Sequence, residues 1–140
     1  MKKATIIFYV TTTIIFLMEG LVPALTSQTQ LAKEGILHLG YPAYFGQMLV
    51  VFKVAGAIAL ILPQVPKRIK EWAYAGFAFE IIAASISHGA VDGTGNFQTW
   101  FPLLFLAILI ASYVSYHKRE KIKAAVSASR IATFNKELAA

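Results

Sequence analysis

The sequence predicts an all-α protein, a four-helix transmembrane bundle with both termini cytoplasmic, and three observations lead there. Hydrophobic residues make up 57% of the 140-residue chain and charged ones 14%, with a mean hydropathy of +0.61, outside the usual composition of soluble domains. Four segments, 4–25, 44–62, 72–88 and 100–116, approach the roughly 20 apolar residues that a helix needs to cross a bilayer. The basic residues outside these segments fall almost entirely in alternate connections.

The first segment follows Lys2 and Lys3. Those lysines, with small residues after the apolar stretch, also fit a cleavable signal peptide. Glu19 would be awkward in such a leader, and its removal would leave an odd number of spans. The second segment ends at Pro63 and Pro66, and the third runs into Gly89, Asp92-Gly93 and Gly95-Asn96, a turn-forming stretch. Pro102 is expected in the first turn of the fourth, where its missing N–H costs nothing. The segments are too long and too continuously apolar for barrel strands, so helices must satisfy the backbone in lipid. Residues 1–116 are read as one membrane domain and 117–140 as a basic cytoplasmic tail. Ile122, Val126, Ile131 and Phe134 give that tail a weak apolar stripe, which leaves open whether it lies on the inner leaflet or frays in solvent.

Lys2 and Lys3, then Lys67, Arg68 and Lys70, then Lys118, Arg119, Lys121, Lys123, Arg130 and Lys136 belong on one side, the cytoplasm. Connections 26–43 and 89–99 carry only Lys33 among basic residues, so both termini are expected inside the bacterial inner membrane. Tyr41, Tyr44 and Trp100 would mark the outer interface, and Trp72, Tyr113 and Tyr116 the inner one. This distribution explains the net charge of +6 by topology and argues against nucleic acid as a partner. With no cysteine, thiolate metal sites and disulfide exchange are excluded, and any redox role needs a borrowed cofactor.

Lys53 stands inside "MLVVFKVAGAIALILP", residues 48–63. A cation in hydrocarbon marks a functional site by default and needs a named partner. At about 1.5 Å of rise per residue, Lys53 lies roughly 15 Å, Glu80 roughly 12 Å and Glu19 roughly 22 Å from the inner side, so either acid can reach it. On the third segment Gly76, Ser87, Glu80, Ala73, Ala84, Phe77 and His88 share a small, polar face expected to look inward. Gly46, Gly56, Ala57 and Leu60 surround Lys53 on the second, and Thr12, Phe16 and Pro23 share the side of Glu19 on the first. Two readings stay open: an ion pair that only fixes helix register, or a polar cavity or proton path open to the outer side. His38 and His88 would reach the outer mouth of such a cavity. Without a helix-borne pair at matched depth they do not predict a haem. Asp92 is read as a turn former that can help a polar mouth, and His117 as solvated. No metal site is expected.

The stretch "LHLGYPAYFGQMLVVFKVAGAIALILPQVPKRIKEWAYAGFAFEIIAASISHGAVDG" resembles the DoxX-like family of small four-helix membrane proteins. The resemblance rests on the Leu-Gly-Tyr-Pro lead, Lys53-Val-Ala-Gly56, the Pro63-to-Pro66 end, Lys-Glu-Trp-Ala-Tyr-Ala-Gly-Phe and the Ser87-His88 exit. It implies a subunit or companion of a membrane redox system, as in a thiosulfate:quinone oxidoreductase or an oxidative-stress complex, and not a stand-alone enzyme. It implies no catalytic residue, but it implies that Glu19, Lys53, Glu80 and His88 line the bundle interior. With His38 these are the candidate ligand-binding residues, for a small hydrophobic molecule such as a quinone. An assembly or interaction factor, pairing through Ala55-xxx-Ala59 with a membrane protein or a second copy, and a proton-coupled transporter using Glu80 and Glu19 are the alternatives.

Overall fold

The computed structural model describes residues 2–138, and within them every regular element is helical. Five helices follow one another: α1 (Lys2–Thr26), α2 (Gln30–His38), α3 (Ala43–Ile61), α4 (Lys67–Asp92) and α5 (Phe97–Leu138). Four of them, α1, α3, α4 and α5, are long and apolar enough to cross a membrane, as expected. The fifth, α2, lies in the connection between the first two spans. In the bundle, α5 packs between α1 and α4, and α3 closes the ring against α4 and the C-terminal half of α1.

Each end has a local cause. Thr29 is extended, and its Oγ1 accepts from Ala32 N–H at 3.3 Å to cap α2, while Gly40 takes φ 82° just past the helix end. Pro66 precedes α4, and Gly93 with φ 83° ends it. The last span starts at Phe97, so Pro102 sits beyond the first turn and not within it. The helix tolerates it there because its neighbours and local adjustments can absorb one missing hydrogen bond.

The C-terminal end of α3 is capped by the next helix. Lys70 Nζ donates to the carbonyl oxygens of Ala59 (3.0 Å), Leu60 (2.7 Å) and Leu62 (2.7 Å), groups that a helix end otherwise leaves without partners. Lys70, expected in the connection between the second and third spans, is therefore a buried residue of α4. Charge at this helix end also complements the helix dipole.

The core corrects two expectations about faces. On α4 the buried stripe is Lys70, Tyr74, Phe77 and Ile81, an aromatic face, while Gly76 is exposed. Tyr116, expected at the inner interface, is buried against Phe8 and Tyr74. Its surroundings include a hydroxyl network joining three helices. Ser112 Oγ lies 2.7 Å from Thr12 Oγ1 and 2.9 Å from Tyr74 Oη, which satisfies polar groups that lipid and core cannot. The Ala55-xxx-Ala59 pair does not form one outward stripe, since Ala59 is buried inside the bundle and Ala55 is exposed. His117, expected to be solvated, has Nε2 2.9 Å from Glu71 Oε1 and is only 25% exposed.

Residues 117–138 of the tail continue α5 as unbroken helix, exposed from Lys123 onward, and residues 139–140 lie outside the described chain. At about 1.5 Å per residue this 42-residue helix is roughly twice as long as the hydrocarbon is thick.

One close approach sets the position of α1 on α3. A Cβ built on Gly20 would stand 2.6 Å from Ala57 Cβ, and Ala57 is fully buried. Gly20→Ala should push α1 from α3 and lower stability by about 1–3 kcal/mol, the usual range for overpacking. Thermal unfolding in detergent measures it, and an unchanged midpoint would show that this contact does not set the helix spacing.

Candidate functional site

Residues Phe16–Leu21 of α1 form a π-helical turn carrying Glu19 and Gly20. An i→i+5 turn holds more residues than an α turn, and such turns often occur at functional sites. Here it brings both residues onto the buried face, Gly20 against α3 and Glu19 toward Lys53. From α3, Lys53 Nζ lies 2.7 Å from Glu19 Oε2 and 2.8 Å from Glu80 Oε1 of α4. The sequence left open which acid would hold the lysine, and the structure pairs it with both.

The three side chains are 11–19% exposed, so the ammonium neither snorkels to a helix end nor faces lipid freely. Its surroundings are mostly apolar, with glycines between large side chains. Gly56, one turn beyond Lys53, leaves room for the Phe77 ring, which a Cβ there would meet at 3.0 Å. Burying three charged groups is unfavourable unless each is paired, and one ammonium with three hydrogens can serve two carboxylates.

Two cavities meet at this lysine. One, of about 360 Å³, lies between α3 and α4 and is lined by Lys53, Glu80, Gly56, Gly76, Phe77 and Trp72 among others. The other, of about 420 Å³, lies beneath α2, with Lys53 at its floor and Pro23, Ile36, Gly46 and Val50 in its walls. Both fall within the usual size of small-molecule sites. Leu49 and Lys53 are common to the two linings.

Helix α2 covers the second cavity and is fixed to the bundle at its C-terminal end. Ile36 packs on Gly46 of α3, where a Cβ would meet it at 3.0 Å. His38 Nε2 contacts Asp92 Oδ1 at 2.5 Å, and His88 Nδ1 contacts Asp92 Oδ2 at 2.7 Å, so one carboxylate ties α2 to α4. Tyr41 Oη, 2.7 Å from Ser87 Oγ, adds a second tie.

The expected site residues thus form two groups. Glu19, Lys53 and Glu80 come together, while His38 and His88 meet on Asp92 and line neither cavity at Lys53. Eight residues of helix separate Glu80 from His88, roughly 12 Å. Asp92, read as a turn former, is the residue that joins the histidines. Helix α2 is the missed component, and Thr29 before it and Gly40 after it are the start and stop signals that mark it.

Four spans, three of which join through a buried lysine–carboxylate trio, define a small helical integral membrane protein. More narrowly, the chain belongs to the DoxX-like family, whose family model matches residues 7–112, a range that includes the trio, α2 and Asp92. No curated protein and no solved structure matches it.

Removing the ammonium should leave two buried carboxylates facing each other. Lys53→Met is expected to destabilise the bundle by about 3–5 kcal/mol, whereas Glu19→Gln/Lys53→Met/Glu80→Gln should regain most of that loss. Unfolding midpoints of the two variants in one detergent measure this, and equal loss in both would contradict shared pairing. Separately, His38→Ala should free α2 and speed tryptic cleavage after Lys33, an effect that limited proteolysis reads directly.

Proposed function

We propose that this DoxX-like protein is a non-catalytic companion of a membrane redox system, and that it holds a small hydrophobic carbonyl compound, of quinone type, beside Lys53. The observation that carries this reading is the position of the ammonium at the junction of two cavities of ligand size. Two of its three hydrogens face Glu19 and Glu80, and the third is available to a ligand carbonyl. In a low-dielectric site a fixed cation stabilises charge that develops on such an oxygen when it is reduced. The two carboxylates give the same site groups able to exchange a proton with the bound molecule. The chain's own residues would bind, orient and electrostatically assist, and the redox chemistry would belong to the ligand and to a partner protein.

The apolar walls support an isoprenoid or alkyl-substituted ring over a polar metabolite. Helix α2 gives the outer cavity a cover, with Gln30 and Lys33 at its rim. The cytoplasmic placement of both termini belongs to the same reading. Lys2, Lys3, the Lys67–Lys70 region and the start of the tail occupy one end of the bundle, and the positive-inside rule assigns that end to the cytoplasm. The exposed, long α5 extension is then a cytoplasmic surface on which a partner can dock.

The test is extraction of the protein from its native membrane followed by mass spectrometry of the bound lipids, with ubiquinone and menaquinone standards added back to the delipidated protein. Wild type should retain or rebind a quinone, and Leu49→Trp, which adds bulk at the wall common to both cavities while keeping the trio, should weaken its retention. Glu19→Gln/Lys53→Met/Glu80→Gln, if folded, should lose it as well. Equal retention in all three proteins, or none in wild type, would remove the quinone reading and favour an assembly factor without ligand chemistry.

A further inference from the structure

A third cavity, more polar and of about 310 Å³, lies at the basic end of the bundle, well away from Lys53. Its lining draws on α1, on the connection between α3 and α4, and on the point where α5 continues past the last apolar turn. Four cations, Lys67, Lys70, Arg119 and Lys123, stand in its wall against one carboxylate, Glu120. The other walls are apolar or aromatic, with Phe8, Ile61, Pro63 and Tyr116 among them. The ion-pair trio and the cover at α2 make no use of this cavity.

The cations play different parts. All three hydrogens of the Lys70 ammonium are occupied by the carbonyls that end α3, so it contributes charge but no donor. Lys123 Nζ lies 3.1 Å from Glu120 Oε1, an exposed pair that holds it loosely. The Arg119 guanidinium is fixed in place. It lies 5.0 Å from the Phe8 ring centroid and 4.9 Å from that of Tyr9, and it donates to Tyr9 Oη at 3.0 Å. A guanidinium has five N–H donors in a planar fork suited to phosphate, and only one is taken by Tyr9. Lys67 is exposed at the rim and makes no ion pair among the described residues.

A cavity with a fixed arginine, flanking lysines and an apolar wall, set where a transmembrane helix leaves the hydrocarbon, has the chemistry of a phosphate ester attached to acyl chains. We propose that this cavity binds the anionic headgroup of a phospholipid, with the phosphate at Arg119, Lys67 and Lys123 and the glycerol end against Phe8 and Pro63. Basic pockets between helices on the cytoplasmic side recognise anionic lipids in this way. A bound headgroup would clamp α1 and α5 to the α3–α4 connection.

The test uses the full chain, purified and delipidated, with three probes: dioleoyl phosphatidylglycerol, dioleoyl phosphatidylcholine and inorganic phosphate. Native mass spectrometry reads lipid retention, and thermal unfolding reads stabilisation. Phosphatidylglycerol should be retained over phosphatidylcholine, and Lys67→Gln/Arg119→Gln/Lys123→Gln should weaken its binding by at least about tenfold, since each basic group near an anionic surface contributes appreciably. Lys118→Gln/Lys121→Gln/Lys136→Gln removes the same charge from α5 outside the cavity and should change binding by less than about twofold. Because Arg119 packs on two rings, Lys67→Gln/Lys123→Gln provides a second variant with both changes at exposed positions, expected to weaken retention severalfold. Equal losses in the site and control variants, or equal retention of the two lipids, would overturn the proposal. Stabilisation by inorganic phosphate that displaces phosphatidylglycerol would overturn the lipid source and assign the cavity to free phosphate.

Discussion

The arrangement of the spans depends on one ammonium shared by carboxylates from two other helices. In lipid no hydrophobic force draws transmembrane helices together, so their mutual positions must come from packing and from polar contacts that have no alternative partner. Lys53, Glu19 and Glu80 are such contacts, one from each of α3, α1 and α4. Moving any of these helices along its axis separates a charge from its partner in a low-dielectric setting, a change more costly than losing an apolar contact. The hydroxyl network at Ser112 does the same for α1, α4 and α5, with neutral groups. Every span is therefore tied to its neighbours by a polar group, and its remaining exterior is largely apolar.

Close approach makes the trio possible. Gly20 lets α1 reach Ala57, and the π-helical turn around it brings the adjacent Glu19 to face Lys53. A regular α-helix with a larger residue at position 20 would hold the carboxylate farther from the ammonium. The same small residues leave space beside the charges. Gly46 and Gly56 accept Ile36 and Phe77, and the two cavities open on either side of Lys53. Packing that fixes the charge and packing that leaves room for a ligand are thus one feature of the sequence, and this gives the ligand-binding reading its physical basis.

Much of this was legible before any coordinates. Mean hydropathy and segment length gave the four spans, three of them to within about five residues at each end, because a bilayer imposes a minimum apolar length and tolerates few charges; the fourth helix runs on to Leu138, since nothing in hydropathy stops a helix that leaves the hydrocarbon. A 1.5 Å rise put Lys53 within reach of both acids. The choice between them was not legible, since distance along an axis leaves the rotation of each helix undetermined, and the answer is both. The burial of Lys70 was hidden for a similar reason. Its neighbours Lys67 and Arg68 are solvated, and only the geometry of the α3–α4 connection turns Lys70 back onto the end of α3. Tyr116 was assigned to an interface by residue type, yet its ring faces Phe8 and Tyr74. His38 and His88 were read together at the mouth of a cavity, but their meeting on Asp92 depends on α2, an element that hydropathy alone passes over because it does not span.

An experimental structure in lipid nanodiscs, refined well enough to place the Lys53 side chain, tests the central claim most directly. The account predicts Nζ within hydrogen-bonding distance of a carboxylate oxygen from Glu19 and another from Glu80, with Gly20 against Ala57. An extended Lys53 directed at the headgroups or acyl chains, with the two glutamates turned to other partners, would contradict it.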